Sequence, residues 1–547
     1  MKIFRLIPIV LIFFLSACAS QKTGNPGKAS ATDESGDSFL AIHTDDPEVQ
    51  RLFERGVVLT YGFNHQEAHN TYMQAAAQDS NCAMCYWGAS LVLGPNINKP
   101  MDPADAPAAF DLAQKALEHS KEENPLHKSL IQALVLRYDP KAGTDRSTLD
   151  QAYADAMRGV AKQFPESATA QVLLAEALMD LHPWDYWEEN GTPKEWTQEI
   201  LETLEAALKL DSNNLNANHL YIHAVEASHH PERAEPNADR LRALAPDSGH
   251  LLHMPAHIYL RIGRYADAAA VNEKAIENDE HYRSHAKPEG VYPLAYMPHN
   301  RHFLWIASAD SGQSQKALKA AFNMAEMVDT QKMRLPGLGT LQHFSVMHLY
   351  AMIRFGKWED ILNQPEPAQD LIYPRGIWHY ARGRALTRLG KPNEAAGELA
   401  KLKTLAADPA LKKVTLFEIN NTSDLLAVAQ HVLAGELGYK RGQVEDAIAH
   451  LRQAVAAEDK LNYDEPPAWY YPARQSLGAV LLDAGRASEA EPVFRKDLER
   501  HRNNGWSLFG LKQSLTAQGK TDEAKEVKSR FDKTWSEADI SLTQARF

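Results

Sequence analysis

The sequence predicts an all-α fold, a superhelical solenoid of paired helices, and three observations carry that expectation. One phrase recurs along the chain: an apolar helical stretch, Gly-[Lys/Arg]-x-[Glu/Asp]-Ala or a near relative, a second helical stretch, then a polar break. It stands at residues 261–268 (R-I-G-R-Y-A-D-A), 355–361 (F-G-K-W-E-D-I), 389–395 (L-G-K-P-N-E-A), 441–447 (R-G-Q-V-E-D-A), 484–490 (A-G-R-A-S-E-A) and 518–524 (Q-G-K-T-D-E-A). The copies fit a helix–turn–helix unit of about 34 residues. No segment of consequence reads as a β-strand, although 44% of the 547 residues are hydrophobic. In each copy the glycine ends the first helix in a conformation that penalises other residues. The acidic residue then sits near the positive end of the second helix dipole, and the alanine lets the two helices approach closely.

The elements before the array differ in kind. Lys2 and Arg5 precede an apolar run over residues 6–15, which ends in Leu15-Ser16-Ala17-Cys18. The run is shorter than the ~20 residues that span a bilayer and has the layout of a secretory signal. Its L-S-A-C ending resembles the bacterial lipobox. That resemblance implies a signal peptide over residues 1–17, lipidation of Cys18, and a membrane anchor without a transmembrane helix. With Ala19 after the cysteine, the implied place is the cell envelope, on the outer membrane and facing the periplasm. Residues 18–46 are rich in Ser, Thr, Gly, Lys and Asp and suit a flexible tether. The solenoid occupies residues 47–547, with insertions near 184–196 and 281–298 that depart from the repeat.

Q-E-A at residues 66–68, followed by A-A-A-Q-D-S-N before Cys82, extends the pattern to the amino-terminal end of the array. In total about ten helix pairs are expected, some degenerate. A helix pair with these marks resembles the tetratricopeptide repeat. Three further phrases resemble a family of exported bacterial tetratricopeptide lipoproteins: Y-G-F-N-H-Q-E-A (61–68), C-A-M-C-Y-W-G-A with L-G-P-N-I-N (82–98), and H-M-P-A-H-I-Y-L-R-I-G (253–263). This second resemblance implies the fold and export, and no activity.

With Cys18 taken by lipid, Cys82 and Cys85 form an isolated C-x-x-C pair in an oxidising compartment. A local disulfide is the leading expectation, beside a redox or metal-delivery role and two free thiols. The formal net charge of −13 argues against nucleic acid, whose phosphates need a basic surface. Hydrolase, nucleotide and dinucleotide motifs are missing.

Chemistry concentrates in one window. Eleven of the 23 histidines lie between His219 and His302. In the repeat register, His219, His253 and His302 are equivalent, as are His223 and His257, and His250, His299 and His343. All fall on first helices, which line the inner face of such arrays, and members one turn apart share a face. The residues expected to bind metal are His219, His223, Glu226, His253, His257 and His302, supported by His250 and His299. Imidazoles with few carboxylates suit zinc, copper or iron better than calcium or magnesium. Recognition of a nonmetal ligand and plain repeat packing are the other two readings of the cluster. The 281–298 insertion reads as an irregular loop, either a lid or a passive insertion. Two functions remain open on the sequence: a metal-dependent enzyme or metal-handling protein, and a noncatalytic scaffold binding a peptide, envelope protein or small ligand in its groove.

Overall fold

The computed structural model describes residues 40–547 apart from Ala142, Lys287 and Glu289. Residues 1–17, Cys18 and most of the tether lie outside the described residues. From Pro47 onward, twelve antiparallel helix pairs follow one another among the described residues, from Pro47–Tyr61 with His65–Gln78 to Gly505–Ala517 with Thr521–Thr534. The expected count of about ten was low because pairs such as Pro125–Val135 with Arg146–Gln163 lack the glycine phrase. The only strands described are a two-residue hairpin, Thr415–Leu416 against Asn420–Asn421. The fold is therefore an all-α solenoid of tetratricopeptide type.

The local reasons are those of the sequence. Asp46 caps the first helix by accepting from the Glu48 amide at 2.8 Å, with Pro47 at its first position. The glycines of all six phrases adopt the left-handed conformation, with φ between +64° and +79°. Gly263 shows why a side chain is excluded at one of them: a Cβ there would stand 2.2 Å from the Arg502 carbonyl oxygen. One continuous apolar core runs from Ile42 to Trp506, and a second fills the last pairs.

The Gly263–Arg502 approach also shows that the superhelix turns back on itself. Tyr265 donates to the Arg502 carbonyl at 2.8 Å, Trp506 to the Ala309 carbonyl at 2.9 Å, and Ser314 N–H to Asp539 at 2.6 Å. Near the other end, Asn98 accepts from the Trp184 indole at 3.0 Å and donates to the Tyr296 hydroxyl at 3.0 Å. The middle pairs are thereby enclosed by both ends of the array.

Both insertions serve that enclosure. Residues 184–196 form an ordered loop that stacks Trp196 on His182, with ring centroids 3.7 Å apart, and donates from Trp187 to the Ala224 carbonyl at 2.8 Å. The second insertion is more helical than the irregular loop expected. Its first part extends Tyr265–His285, and a π-helical turn over Tyr292–Tyr296 runs directly into Met297–Asp310. Asp279 ties the ends together, accepting from Tyr292 at 3.1 Å and Asn300 at 2.7 Å. These buried polar partners give the segment an internal order that hydrophobic periodicity does not reveal.

Candidate metal centre

Five helices build the centre: α1 (Leu215–Glu226), α2 (Gly249–His253), α3 (Pro255–Ile262), α4 (Tyr265–His285) and α5 (Met297–Asp310). Helices α2 and α3 are one first helix, interrupted at Met254 because Pro255 has no N–H to donate. The His253 and His257 rings, one on each side of the interruption, stand face to edge with Nε2 atoms 2.9 Å apart.

Two sets of three imidazoles result, each with ligand atoms within 4.8 Å of one another: His219, His223 and His250, and His253, His257 and His299. Each set takes a pair one turn apart on one repeat and a third ring from the next. The second set is the first displaced by one repeat, and the geometry repeats with it. Ring centroids of the pair lie 4.9 Å apart in the first set and 4.8 Å in the second. The third ring lies 5.0 Å from His219 and 4.9 Å from His253 in the respective sets. All six rings are buried except His299, which is partly buried.

The hydrogen bonds determine where the ring protons sit. Asn272 donates from Nδ2 to the Ala268 carbonyl at 2.7 Å, which turns its Oδ1 toward His253 Nδ1 at 2.8 Å. His253 therefore carries its proton on Nδ1. Glu226 accepts from His223 Nδ1 at 2.8 Å through one oxygen and from His257 Nδ1 at 2.5 Å through the other. Burial alone would raise the Glu226 carboxyl, but His257 and His223 outweigh it and hold the group well below the usual range. As a carboxylate it can only accept, so both rings turn a protonated Nδ1 toward it and direct Nε2 away. This is the arrangement in which outer carboxylates and amides orient metal-binding imidazoles.

Burial, reinforced by neighbouring imidazoles, keeps His219, His250, His253 and His299 well below the ordinary histidine range. They remain neutral near pH 7, as ligation requires. His219 and His250 approach through Nε2 at 3.2 Å, and the Nδ1 atoms of both, like His223 Nε2 and His299 Nδ1, have no protein partner. The residue one repeat before Asn272 is Ala238, which explains why His219 lacks the amide that His253 has.

Two expected ligands are placed otherwise. Glu226 lies outside both sets, with one oxygen on His223 and the other on His257. His302 lies outside both sets: it faces His343 with centroids 5.9 Å apart, and neither of its ring nitrogens has a partner. It belongs to a third copy of the pattern, His302 with His343, in which Ile306 stands where His223 and His257 stand in the others. His250 and His299, expected to support, complete the two sets.

Aromatic side chains wall the centre. Phe63 packs against His219 at 4.8 Å and His250 at 5.1 Å, Trp184 against His223 at 5.2 Å, and Tyr296 against His250 at 5.0 Å. Phe63 and the Asn98 that holds Trp184 and Tyr296 lie within the 61–68 and 82–98 phrases, so those phrases carried the available clue. Arg261 donates to the carbonyls of Glu226 and Ser228, the latter at 3.1 Å.

On the far side of Glu226, Tyr463 meets its carboxylate at 3.3 Å and the Glu465 carboxyl at 3.0 Å. One phenol proton cannot serve two carboxylates, so Glu465, pushed up to about 7 by burial despite Arg261, holds the second proton. Arg261, Tyr463 and Glu465 also line a narrow cleft with Tyr265 and Trp469. Its free volume of about 30 Å³ has room for a water or two.

Cys82 and Cys85 stand away from the centre and are bonded to each other, with Cα atoms 5.3 Å apart. No helix among the described residues is long and apolar enough to cross a membrane.

No protein-family model and no curated protein sequence matches the chain. Solved structures similar to it include a human IFIT1 dimer with PPP-AAAA, at 14% identity and a TM-score of 0.31, covering 90% of this chain and 96% of that one. Another is the APC/C hetero-tetramer Cut9-Hcn1, at 12% identity and a TM-score of 0.23, covering 90% and 95%. Likeness at this level carries nothing about activity.

Proposed function

We propose that this protein is an envelope tetratricopeptide lipoprotein that binds a transition metal ion, zinc, copper or iron, at the histidine centre inside its solenoid. The observation that carries the reading is the His253–His257 contact. Both rings hold a proton on Nδ1, and their Nε2 atoms face each other at 2.9 Å. Two lone pairs at that separation need a cation between them. A proton shared by the two rings is one such cation, its charge balanced by Glu226 beside His257, and a metal ion is the other. A metal ion that parts the rings and draws on His299 satisfies all three. His299 is the one ring of the six that is not fully buried, so a fourth ligand would enter on its side, as in three-histidine sites that bind water or substrate.

A scaffold role for this part of the groove fits less well. Phe63, Trp184, Tyr296 and Tyr463 fill the space a peptide would need. The envelope placement rests on the lipobox-like L-S-A-C at residues 15–18 and on the three phrases shared with exported lipoproteins. Elemental analysis of protein purified without a histidine tag tests the metal reading. Near-stoichiometric zinc, copper or iron is expected, and His253→Ala should reduce it with helix content unchanged. Metal-free protein that also fails to take up cobalt at micromolar concentration would return the centre to a packing role.

A further inference from the structure

We infer that the centre holds two metal ions, one in each histidine set, coupled through Glu226. This rests on the metal-binding reading above and adds stoichiometry and coupling to it.

The first argument is translational. His219, His223 and His250 become His253, His257 and His299 on displacement by one repeat, and the ring separations are reproduced. Whatever one set binds, the other has the same three donors to bind. The two sets share no member. The third copy shows what an incomplete set looks like: His302 and His343 remain, and Ile306 replaces the ring that Glu226 would orient.

The second argument concerns direction. His223 and His257 both point Nδ1 at one carboxylate. Each Nε2 is therefore on the side of its ring turned away from Glu226, toward its own set. A single ion cannot lie on both far sides. Glu226 is thus an outer bridge between two first spheres, a single carboxylate serving two imidazoles.

Electrostatics permits double occupancy. Two dications in a buried site repel, but a single negative charge midway between them attracts them about twice as strongly as they repel each other. Asp464 and Glu465, pushed up to about 8 and about 7 by burial, lie beyond Glu226 as further carboxyls that a second ion would help to ionise.

The sets differ in support. His253 and His257 are both oriented, by Asn272 and Glu226, whereas in the other set only His223 is. Orienting partners of this kind are typically worth about 10- to 100-fold in affinity, so the His253 set fills first.

Cobalt titration of the metal-stripped full chain, followed by visible absorption and elemental analysis, tests the inference. The wild type should take two equivalents in distinguishable steps. His253→Ala should lose the tighter one and His219→Ala the weaker, each keeping one equivalent and its helical circular dichroism. Glu226→Gln should weaken both steps. One equivalent in the wild type, or a folded single variant that binds none, would overturn the two-ion assignment and leave metal binding intact. No uptake at all would remove both. Should the variants fail to fold, copper-loaded wild type decides by electron paramagnetic resonance: a spin-coupled pair supports two neighbouring ions, and an uncoupled signal at one copper per chain refutes them.

Discussion

Asn272 illustrates what one residue contributes without touching a bound ion. It offers His253 an acceptor only because its own amide is committed to the Ala268 carbonyl. Asn272→Ala should therefore leave every ligand in place and weaken metal binding about 10- to 100-fold, measured by competition against a chromophoric chelator. Affinity unchanged within twofold would show that the ring needs no orienting partner. His302 makes a different prediction. Burial holds it down at about 3, against an ordinary value near 6.5. Between those values the unfolded chain binds more protons than the folded one, so stability is full above about pH 6.5 and falls as pH drops toward 3. Urea unfolding of metal-free protein at pH 7.5 and 5 should show that loss, and His302→Leu should lessen it by one histidine's share, since His219, His250, His253 and His299 are held down as well. An equal slope in the variant would place the acid sensitivity elsewhere.

Among elements, the repeated glycine turns separate local from long-range constraint. Gly263 and Gly390 both have φ well above zero, +79° and +76°. At Gly390 a Cβ would meet nothing within 4 Å, while at Gly263 it would strike the Arg502 carbonyl at 2.2 Å. Gly390→Ala should cost about 1–2 kcal/mol, the left-handed penalty alone. Gly263→Ala should cost more, because it also forces the eleventh pair away from the sixth. Thermal unfolding of the two variants measures the difference, and equal losses would mean that the superhelix closure contributes nothing to stability.

At the scale of the whole molecule, the chain wraps both ends around its middle, and the envelope reading bears on the same scale. Cys18→Ala should release the protein from the membrane fraction, since a single lipidated residue would be its anchor. Undiminished membrane retention would sink the lipoprotein reading. A positive charge at Phe63 should act over a similarly long distance: Phe63→Lys places an ammonium against His219 and His250 from a segment more than a hundred residues away. Loss of the weaker cobalt step with the tighter one kept is the expected result.

The sequence by itself determined the helix pairs, their turns, and the placing of histidines on first helices. Those depend on local periodicity and on glycine, proline and acidic residues at fixed offsets, which any short window displays. It also contained the one-repeat displacement that relates the two histidine sets. Equivalent positions, however, are not the ones that meet: His219 approaches His250 instead of His253, because a ring reaches the next repeat diagonally. Only the tertiary structure placed Glu226 against both His223 and His257, set His302 against His343 outside both sets, and brought Asn272, Phe63, Trp184 and Tyr463 to their surroundings. Each of those outcomes depends on which atom of a side chain faces which partner across tens to hundreds of residues. Spacing along a helix constrains the face a residue occupies, and the closing of the superhelix supplies the neighbours that give that face its chemistry.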